Sequence, residues 1–98
     1  MNQNLTTQIA QLLAQAGSAH HQFEQTVLKG AYDEAWPDWY ADYLLAHNLN
    51  DLLPEPVSLT ELSQFLLQSN ETRIQQLPEP DWADYTAHDL VTRFADTS

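Results

Sequence analysis

The sequence predicts an all-α fold, a compact bundle of about five helices in a single domain spanning residues 1–98. Apolar residues recur at spacings of three and four along most of the chain. No segment shows the sustained alternation with β-branched residues that is typical of strands. Hydrophobic residues make up 43% of the chain, which is enough to form a core despite the high net charge. The chain contains no cysteine, so disulfides and thiolate chemistry are excluded.

The first two helices are predicted on either side of Gly17. Residues 5–16 form the first, because apolar residues recur there at helical spacing: Leu5, Ile9, Leu12, Leu13 and Ala16. Gly17 is typical of the position just after a helix, and Ser18 can serve as the N-cap of a second helix over residues 19–29. We expect the buried stripe of the second helix to consist of Ala19, Phe23 and Val27. This helix should end near Gly30.

An aromatic-rich third helix is predicted over residues 37–47. Pro37 suits the first helical position, and Asp38 lies in the first turn, where a negative charge complements the helix dipole. The large apolar residues of this region are Trp36, Trp39, Tyr40, Tyr43, Leu44 and Leu45. They cover most of the helix circumference, which is typical of a central, buried helix. A buried core is therefore the favoured interpretation of the aromatic rings, and a ligand or partner surface is the alternative.

Clear N-terminal signals mark the last two helices. Ser58 and Glu61 form a capping box ahead of a fourth helix over residues 59–76, and Asp81 is the predicted N-cap of a fifth helix over residues 82–95. The expected stripes are Leu62, Phe65, Leu66, Ser69, Arg73 and Leu77 in the fourth helix and Ala83, Ala87, Leu90, Val91 and Phe94 in the fifth. The tetrapeptide Leu-Pro-Glu-Pro precedes each helix, and its prolines should stiffen both connections.

Two segments of similar sequence suggest an internal repeat. Residues 36–45 align without gaps on residues 82–91, at an offset of 46 residues, and Trp, Asp, Ala and Leu recur at matching positions. We therefore predict two related helical hairpins, one from helices two and three and one from helices four and five, after a leading helix. The shared tryptophans would lie on a second face, which a neighbouring helix or a partner must cover.

The net charge of −11 is confined to one part of the chain. Residues 1–32 contain one acid, Glu24, and one base, Lys29, whereas residues 33–98 carry 13 acids and two arginines. Such a field repels nucleic acid and anionic lipid, so we expect neither as a partner. It suits a protein partner with a basic or amphipathic surface. Solubility alone is the alternative explanation of the acidity.

The sequence predicts neither a signal peptide nor a membrane span. Residues 1–10 have no basic region followed by a long apolar run, and no window approaches the roughly 18 apolar residues that a span requires. The cytoplasm is therefore the expected location. A chain of this size buries a modest share of its surface, so a partner chain, such as a second copy in a homodimer, would add stability.

The strongest candidate for chemistry is the pair His20 and Glu24. The two residues are four apart at the edge of the predicted stripe, so one divalent cation could bridge them. A metal site needs further ligands from facing elements, and Asp33, Glu34 and Asp38 are the nearest candidates. A simple His–Glu hydrogen bond is the alternative. General acid–base chemistry would use the same pair, but no nucleophile, phosphate loop or cofactor motif accompanies it, which favours a non-enzymatic protein without a cofactor.

A motif of spaced residues runs through positions 19–45. It reads Ala-His-x-x-Phe-Glu at 19–24, Val-Leu-x-Gly at 27–30 and Trp-Pro-x-Trp-Tyr-Ala-x-Tyr-Leu-Leu at 36–45. This motif resembles a group of small bacterial helical proteins without an assigned activity, and it covers about a quarter of the chain. The segment at 82–90 is similar to a second motif of that group, and the glutamine-rich, lysine-poor composition looks cyanobacterial. The resemblance implies a helical fold and draws attention to the motif residues His20, Glu24, Trp36, Pro37, Trp39 and Tyr40.

These features give three hypotheses of function. A protein-interaction or accessory module comes first, because acidity is segregated, aromatic surface is in surplus and cofactor motifs are missing. Its candidate ligand or partner residues are His20, Glu24, Trp36, Trp39, Tyr40 and Tyr43. A small-molecule or metal site built on His20 and Glu24 comes second. An acidic mimic of nucleic acid comes third, because 13 acids within residues 33–98 could imitate a phosphate track.

Overall fold

Four α-helices and one short 3-10 helix form the described part of the chain. The computed structural model describes residues 2–76 and 78–95. In chain order the helices are α1 (Asn2–Thr26), α2 (Trp36–Ala46), α3 (Leu59–Ile74) and α4 (Trp82–Phe94), with the 3-10 helix at Leu49–Leu52. These residues include no strand, so the predicted all-α class is confirmed. Within the same residues, no helix combines the length and apolar character that crossing a membrane requires.

The first helix is continuous, and the prediction of separate helices over 5–16 and 19–29 is wrong. Gly17 and Ser18 lie inside α1, so Gly17 is not a stop and Ser18 is not an N-cap. A glycine inside a helix costs only about 1 kcal/mol relative to alanine. The burial of one uninterrupted stripe along α1 outweighs that cost.

The continuous helix also changes which residues of its second half are buried. The buried stripe consists of Ile9, Leu13, Ala16 and His20. These positions follow the helical spacing of four, three and four residues. Phe23, the predicted centre of the stripe, is half-buried, and Val27 is 61% exposed. The prediction that Val27 is buried and that His20 lies at the edge of the stripe is wrong. It assumed that a new helix with its own apolar face starts after Gly17, whereas α1 continues and the stripe of its first half extends to His20.

Helix α1 ends three residues before the predicted end at residue 29, and a turn that closes at Gly30 follows it. Thr26 is the last helical residue, and the backbone is left-handed at Lys29 (φ 53°) and Gly30 (φ 86°). The N–H of Gly30 donates to the carbonyl of Glu24 at 2.8 Å, which satisfies one of the last carbonyls of the helix. Glycine suits this position because it adopts a positive φ without steric strain.

The caps predicted for α3 and α4 are confirmed, and the predicted proline lies in the first turn of α2. Pro37 lies in the first turn of α2, which begins one residue earlier than expected. Ser58 Oγ accepts from the N–H of Glu61, and Glu61 Oε1 accepts from the N–H of Ser58, each at 3.1 Å, which completes the capping box of α3. Asp81 Oδ2 accepts from the N–H of Asp84 at 3.2 Å at the start of α4.

The four helices pack in a ring around the core. α1 and α3 each contact α2 and α4, whereas no Cα pair within 8 Å joins α1 to α3 or α2 to α4 in the described residues. The buried hydrophobic residues are Ile9, Leu13, Ala16, Ala41, Leu44, Leu49, Leu53, Val57, Leu62, Phe65, Leu66, Ala87, Leu90 and Val91. The predicted repeat of two hairpins after a leading helix is not confirmed. The predicted first and second helices are both parts of α1, so no separate helix precedes the first hairpin.

Side chains brace both connections that contain Leu-Pro-Glu-Pro. Before α3, the Asn50 amide accepts from the N–H of Val57 at 2.9 Å and donates to its carbonyl at 3.3 Å. Before α4, Arg73 Nη1 donates to the carbonyl of Pro80 at 2.9 Å. Leu77, predicted in the stripe of the fourth helix, lies outside the described residues.

A Gly17→Ala substitution tests the continuity of α1. The added Cβ would lie 3.9 Å from the Tyr40 hydroxyl, which is an ordinary contact. Alanine is favoured over glycine inside a helix by about 0.5–1 kcal/mol. We therefore expect Gly17→Ala to raise the free energy of unfolding, measured by urea denaturation, by that amount.

Gly30→Ala is the matched control. No atom lies within 4 Å of its added Cβ, so the left-handed backbone alone sets the cost. We expect the free energy of unfolding to fall by about 1 kcal/mol or somewhat more. A similar loss in Gly17→Ala would contradict the continuous helix, because it would place Gly17 in a left-handed stop.

Candidate functional site

One open cavity brings together the second half of α1, the connector before α2 and the N-terminal turns of α2 and α4. Its volume is about 220 Å³. Its walls are His20, Glu24, Tyr32, Asp33, Trp36, Tyr40, Asn70 and Trp82. The cavity therefore gathers several of the candidate residues: His20 and Glu24 from α1, Asp33 from the connector, and Trp36 and Tyr40 from α2.

His20 is the buried link between α1 and the connector. Only 6% of the residue is exposed, and its Nε2 lies 2.9 Å from Oδ2 of Asp33. Because a carboxylate oxygen accepts, Nε2 carries the proton and donates. Its Nδ1 lies 3.8 Å from Oε1 of Glu24, which is too long for a hydrogen bond. The predicted His20–Glu24 pair is thus close in space, but the hydrogen bond of His20 goes to Asp33.

Aromatic rings enclose the imidazole of His20. Its centroid lies 4.7 Å from the Trp39 ring, 4.8 Å from the Tyr40 ring and 6.0 Å from the Phe23 ring. Trp39 in turn stacks on Tyr43, with centroids 5.5 Å apart and planes 15° apart. Trp39 and Tyr43 are not among the cavity walls. Both rings are half-buried and not at the centre of the core: Trp39 lies beside His20, and Tyr43 stacks on Trp39 and on the ring of His47.

The aromatic walls of the cavity meet at steep angles. The rings of Trp36 and Tyr40 are 5.9 Å apart with planes at 79°, and those of Tyr40 and Trp82 are 5.0 Å apart with planes at 48°. Tyr32 adds a fourth ring and is 74% exposed, so it forms the solvent edge. A ligand bound between these rings would contact aromatic surfaces on several sides.

Glu24 and Asp33 give the cavity a negative charge that no lysine or arginine of the described residues pairs with. Within the described residues, Glu24 and Asp33 both form their ion pairs with His20, whereas Arg73 pairs with Glu79. Burial raises the pKa of the Tyr40 phenol to about 12, with a further contribution from the charges of Glu24 and Asp33. The phenol is therefore neutral near pH 7, and its ring lies in a negative field.

The remaining candidate metal ligands do not join this group. Glu34 and Asp38 are not among the cavity walls. Asp38 instead accepts a hydrogen bond from the hydroxyl of Ser63. Among the described residues, no group of three or more His, Asp and Glu side chains is placed to hold a metal ion.

Sequence reasoning missed three walls of the cavity: Tyr32, Asn70 and Trp82. Trp82 had a signal, since it aligns with Trp36 at the offset of 46 residues. Both tryptophans are the first residues of their helices, and both line the cavity. Tyr32 and Asn70 had no comparable signal, because their approach to the cavity depends on tertiary packing.

Known proteins give no further guidance on this site. No protein family, curated protein sequence or solved structure matches this chain. The resemblance of residues 19–45 to small bacterial helical proteins therefore stays a prediction.

An alkaline titration tests the environment of Tyr40. Its pKa of about 12 in the folded chain, against an ordinary value of 10.0, means that the folded state holds the phenolic proton more tightly. The corresponding stability is present below pH 10 and is lost as the pH rises towards 12. Phenolate absorbance is measured by stopped flow directly after jumps to increasing final pH. A late step, the ionisation of one tyrosine near pH 12, should appear in the parent chain and be missing in Tyr40→Phe.

Tyr32→Phe is the control for this titration, because Tyr32 is exposed. It should leave the late step in place. A Tyr40→Phe difference spectrum with its step at the ordinary value would contradict the enclosed, negatively charged setting of this phenol.

Proposed function

We propose that this chain is an acidic protein-interaction module that holds a cationic side chain of a basic partner in the cavity. The observation that carries the proposal is the convergence of His20, Glu24 and Asp33 with aromatic rings from three segments on one open pocket. Carboxylates attract a cation, and aromatic faces add to that attraction.

The charge of the chain supports a basic partner. The net charge is −11, and the carboxylates of Glu24 and Asp33 are not paired with any lysine or arginine of the described residues. A field of one sign accelerates encounter with an oppositely charged surface, and carboxylates that no lysine or arginine neutralises give that surface a place to dock.

The size of the cavity supports a side chain over a larger ligand. Pockets for drug-sized molecules usually have volumes of about 300–1,000 Å³. This one has about 220 Å³ and is open to solvent, which suits the end of one side chain.

The chemistry of the walls supports binding over turnover. Nε2 of His20 is held by Asp33, and its ring is enclosed by Trp39 and Tyr40. The walls include no serine, threonine or cysteine that His20 could activate. A small-molecule or metal site on His20 and Glu24 and a nucleic-acid mimic are the alternative proposals.

Binding of a basic peptide tests the proposal. The probe is a short capped peptide with one lysine between glycines and serines, titrated by calorimetry and by the fluorescence of Trp36 and Trp82. We expect Glu24→Gln to weaken binding about tenfold, because it removes the carboxylate that faces the cavity without touching the His20–Asp33 bond.

Glu71→Gln is the matched control, because it changes the net charge equally at an exposed position of α3. It should weaken binding less than about twofold. Equal losses of affinity in the two variants would show that net charge alone attracts the peptide, which would contradict binding in the cavity. Tight binding of Zn²⁺ or Mn²⁺ that displaces the peptide would favour the metal alternative instead.

A further inference from the structure

We infer that the cavity selects a trimethylated lysine of the partner over an unmodified lysine. The inference rests on the proposed function and names the chemistry of the bound group. Its basis is the combination of ring surfaces, a carboxylate that no lysine or arginine of the described residues pairs with, and acceptors on Asp33 and Asn70 that are already occupied.

The ring geometry suits a bulky, diffuse cation. The planes of Trp36 and Tyr40 stand at 79°, that of Trp82 lies at 48° to Tyr40, and Tyr32 adds a ring at the solvent edge. The face of each ring is negative, and a quaternary ammonium spreads its charge over methyl groups that contact several faces at once. Rings set at angles to one another therefore match a trimethylammonium group.

The side-chain oxygens of Asp33 and Asn70, two of the polar walls, already accept hydrogen bonds. Asp33 Oδ2 accepts from His20 and Asp33 Oδ1 accepts from the N–H of Ala35 at 3.0 Å. Asn70 Oδ1 accepts from Nε of Arg73 at 3.1 Å and from its Nη2 at 2.9 Å. A primary ammonium brings three N–H donors that are hydrated in water; Glu24 can accept from some of them, but the occupied oxygens of Asp33 and Asn70 replace the other water contacts poorly. A trimethylammonium group has no N–H donor, so the occupied acceptors do not affect it.

Glu24 supplies the opposing charge. The side chain of Glu24 is 29% exposed, and the 3.8 Å distance from its Oε1 to Nδ1 of His20 is too long for a hydrogen bond from that ring. Tyr40 lines the cavity with a neutral phenol, because burial raises its pKa to about 12, so this ring adds no charge of its own. The pocket thus offers a carboxylate together with several ring surfaces, and a cation without N–H donors can use both.

Four probes test the inference by calorimetry against the full chain. They are the capped lysine peptide, the same peptide with trimethyllysine, its neutral analogue with a tert-butyl group in place of trimethylammonium, and free tetramethylammonium. We expect trimethyllysine to bind about tenfold tighter than lysine, and the neutral analogue to bind at least about tenfold weaker than trimethyllysine. Tetramethylammonium should bind more weakly than the trimethyllysine peptide, because it lacks the peptide contacts.

Tyr32 provides the variant that leaves the fold intact. Because Tyr32 is 74% exposed, Tyr32→Ala should leave the unfolding transition unchanged and weaken trimethyllysine binding about threefold or more. Tyr32→Phe keeps the ring and should restore binding. Unchanged affinity in Tyr32→Ala would overturn the aromatic enclosure.

The outcomes distinguish selectivity for trimethyllysine from the proposed binding of a basic partner. Equal binding of lysine and trimethyllysine would overturn the selectivity and leave the basic-partner function standing. A neutral analogue that binds as well as trimethyllysine would show that shape and not charge is recognised, which also overturns the inference. Failure of every peptide would overturn the proposed function itself. Tetramethylammonium binding as tightly as the trimethyllysine peptide would assign the pocket to free quaternary amines.

Discussion

The hydrogen bond between His20 and Asp33 is the interaction on which the cavity depends. It joins residues 13 apart in sequence and fastens the connector before α2 to the buried face of α1. Asp33 Oδ1 also accepts from the N–H of Ala35, so the carboxylate fixes the backbone that leads into Trp36. Without this bond, Asp33 and Trp36 would be carried by an unbraced connector, and the corner that Trp36 forms with Tyr40 would lose one side.

This interaction places a polar side chain where an apolar one would be expected. His20 continues the buried stripe of Ile9, Leu13 and Ala16, and burying a polar group is costly unless it is hydrogen-bonded. Asp33 meets that requirement with its hydrogen bond to Nε2 of His20. A polar residue in an apolar register is the kind of local departure that functional sites show. The position therefore links the stability of the bundle to the shape and charge of the cavity.

The sequence predicts the features that depend on local signals and misses those that depend on register and packing. The caps at Ser58 and Asp81 could be predicted because a side chain meets backbone groups a few residues away. The prediction that Gly17 ends a helix is wrong because the low helix propensity of glycine is a weak preference, which the packing of a 25-residue helix overrides. The pair His20 and Glu24 was found from spacing, but the partner of His20 was not, because a contact across 13 residues is set by the path of the connector.

A double-mutant cycle on His20 and Asp33 is the most direct test of this account. The free energies of unfolding of His20→Ala, Asp33→Ala and the double variant would be compared with that of the parent chain by urea denaturation. If the bond fastens the connector to α1, the two substitutions are coupled, and the double variant loses about 1–3 kcal/mol less than the sum of the single losses. Losses that add to within about 0.3–0.5 kcal/mol would contradict the account, because the two residues would then act independently.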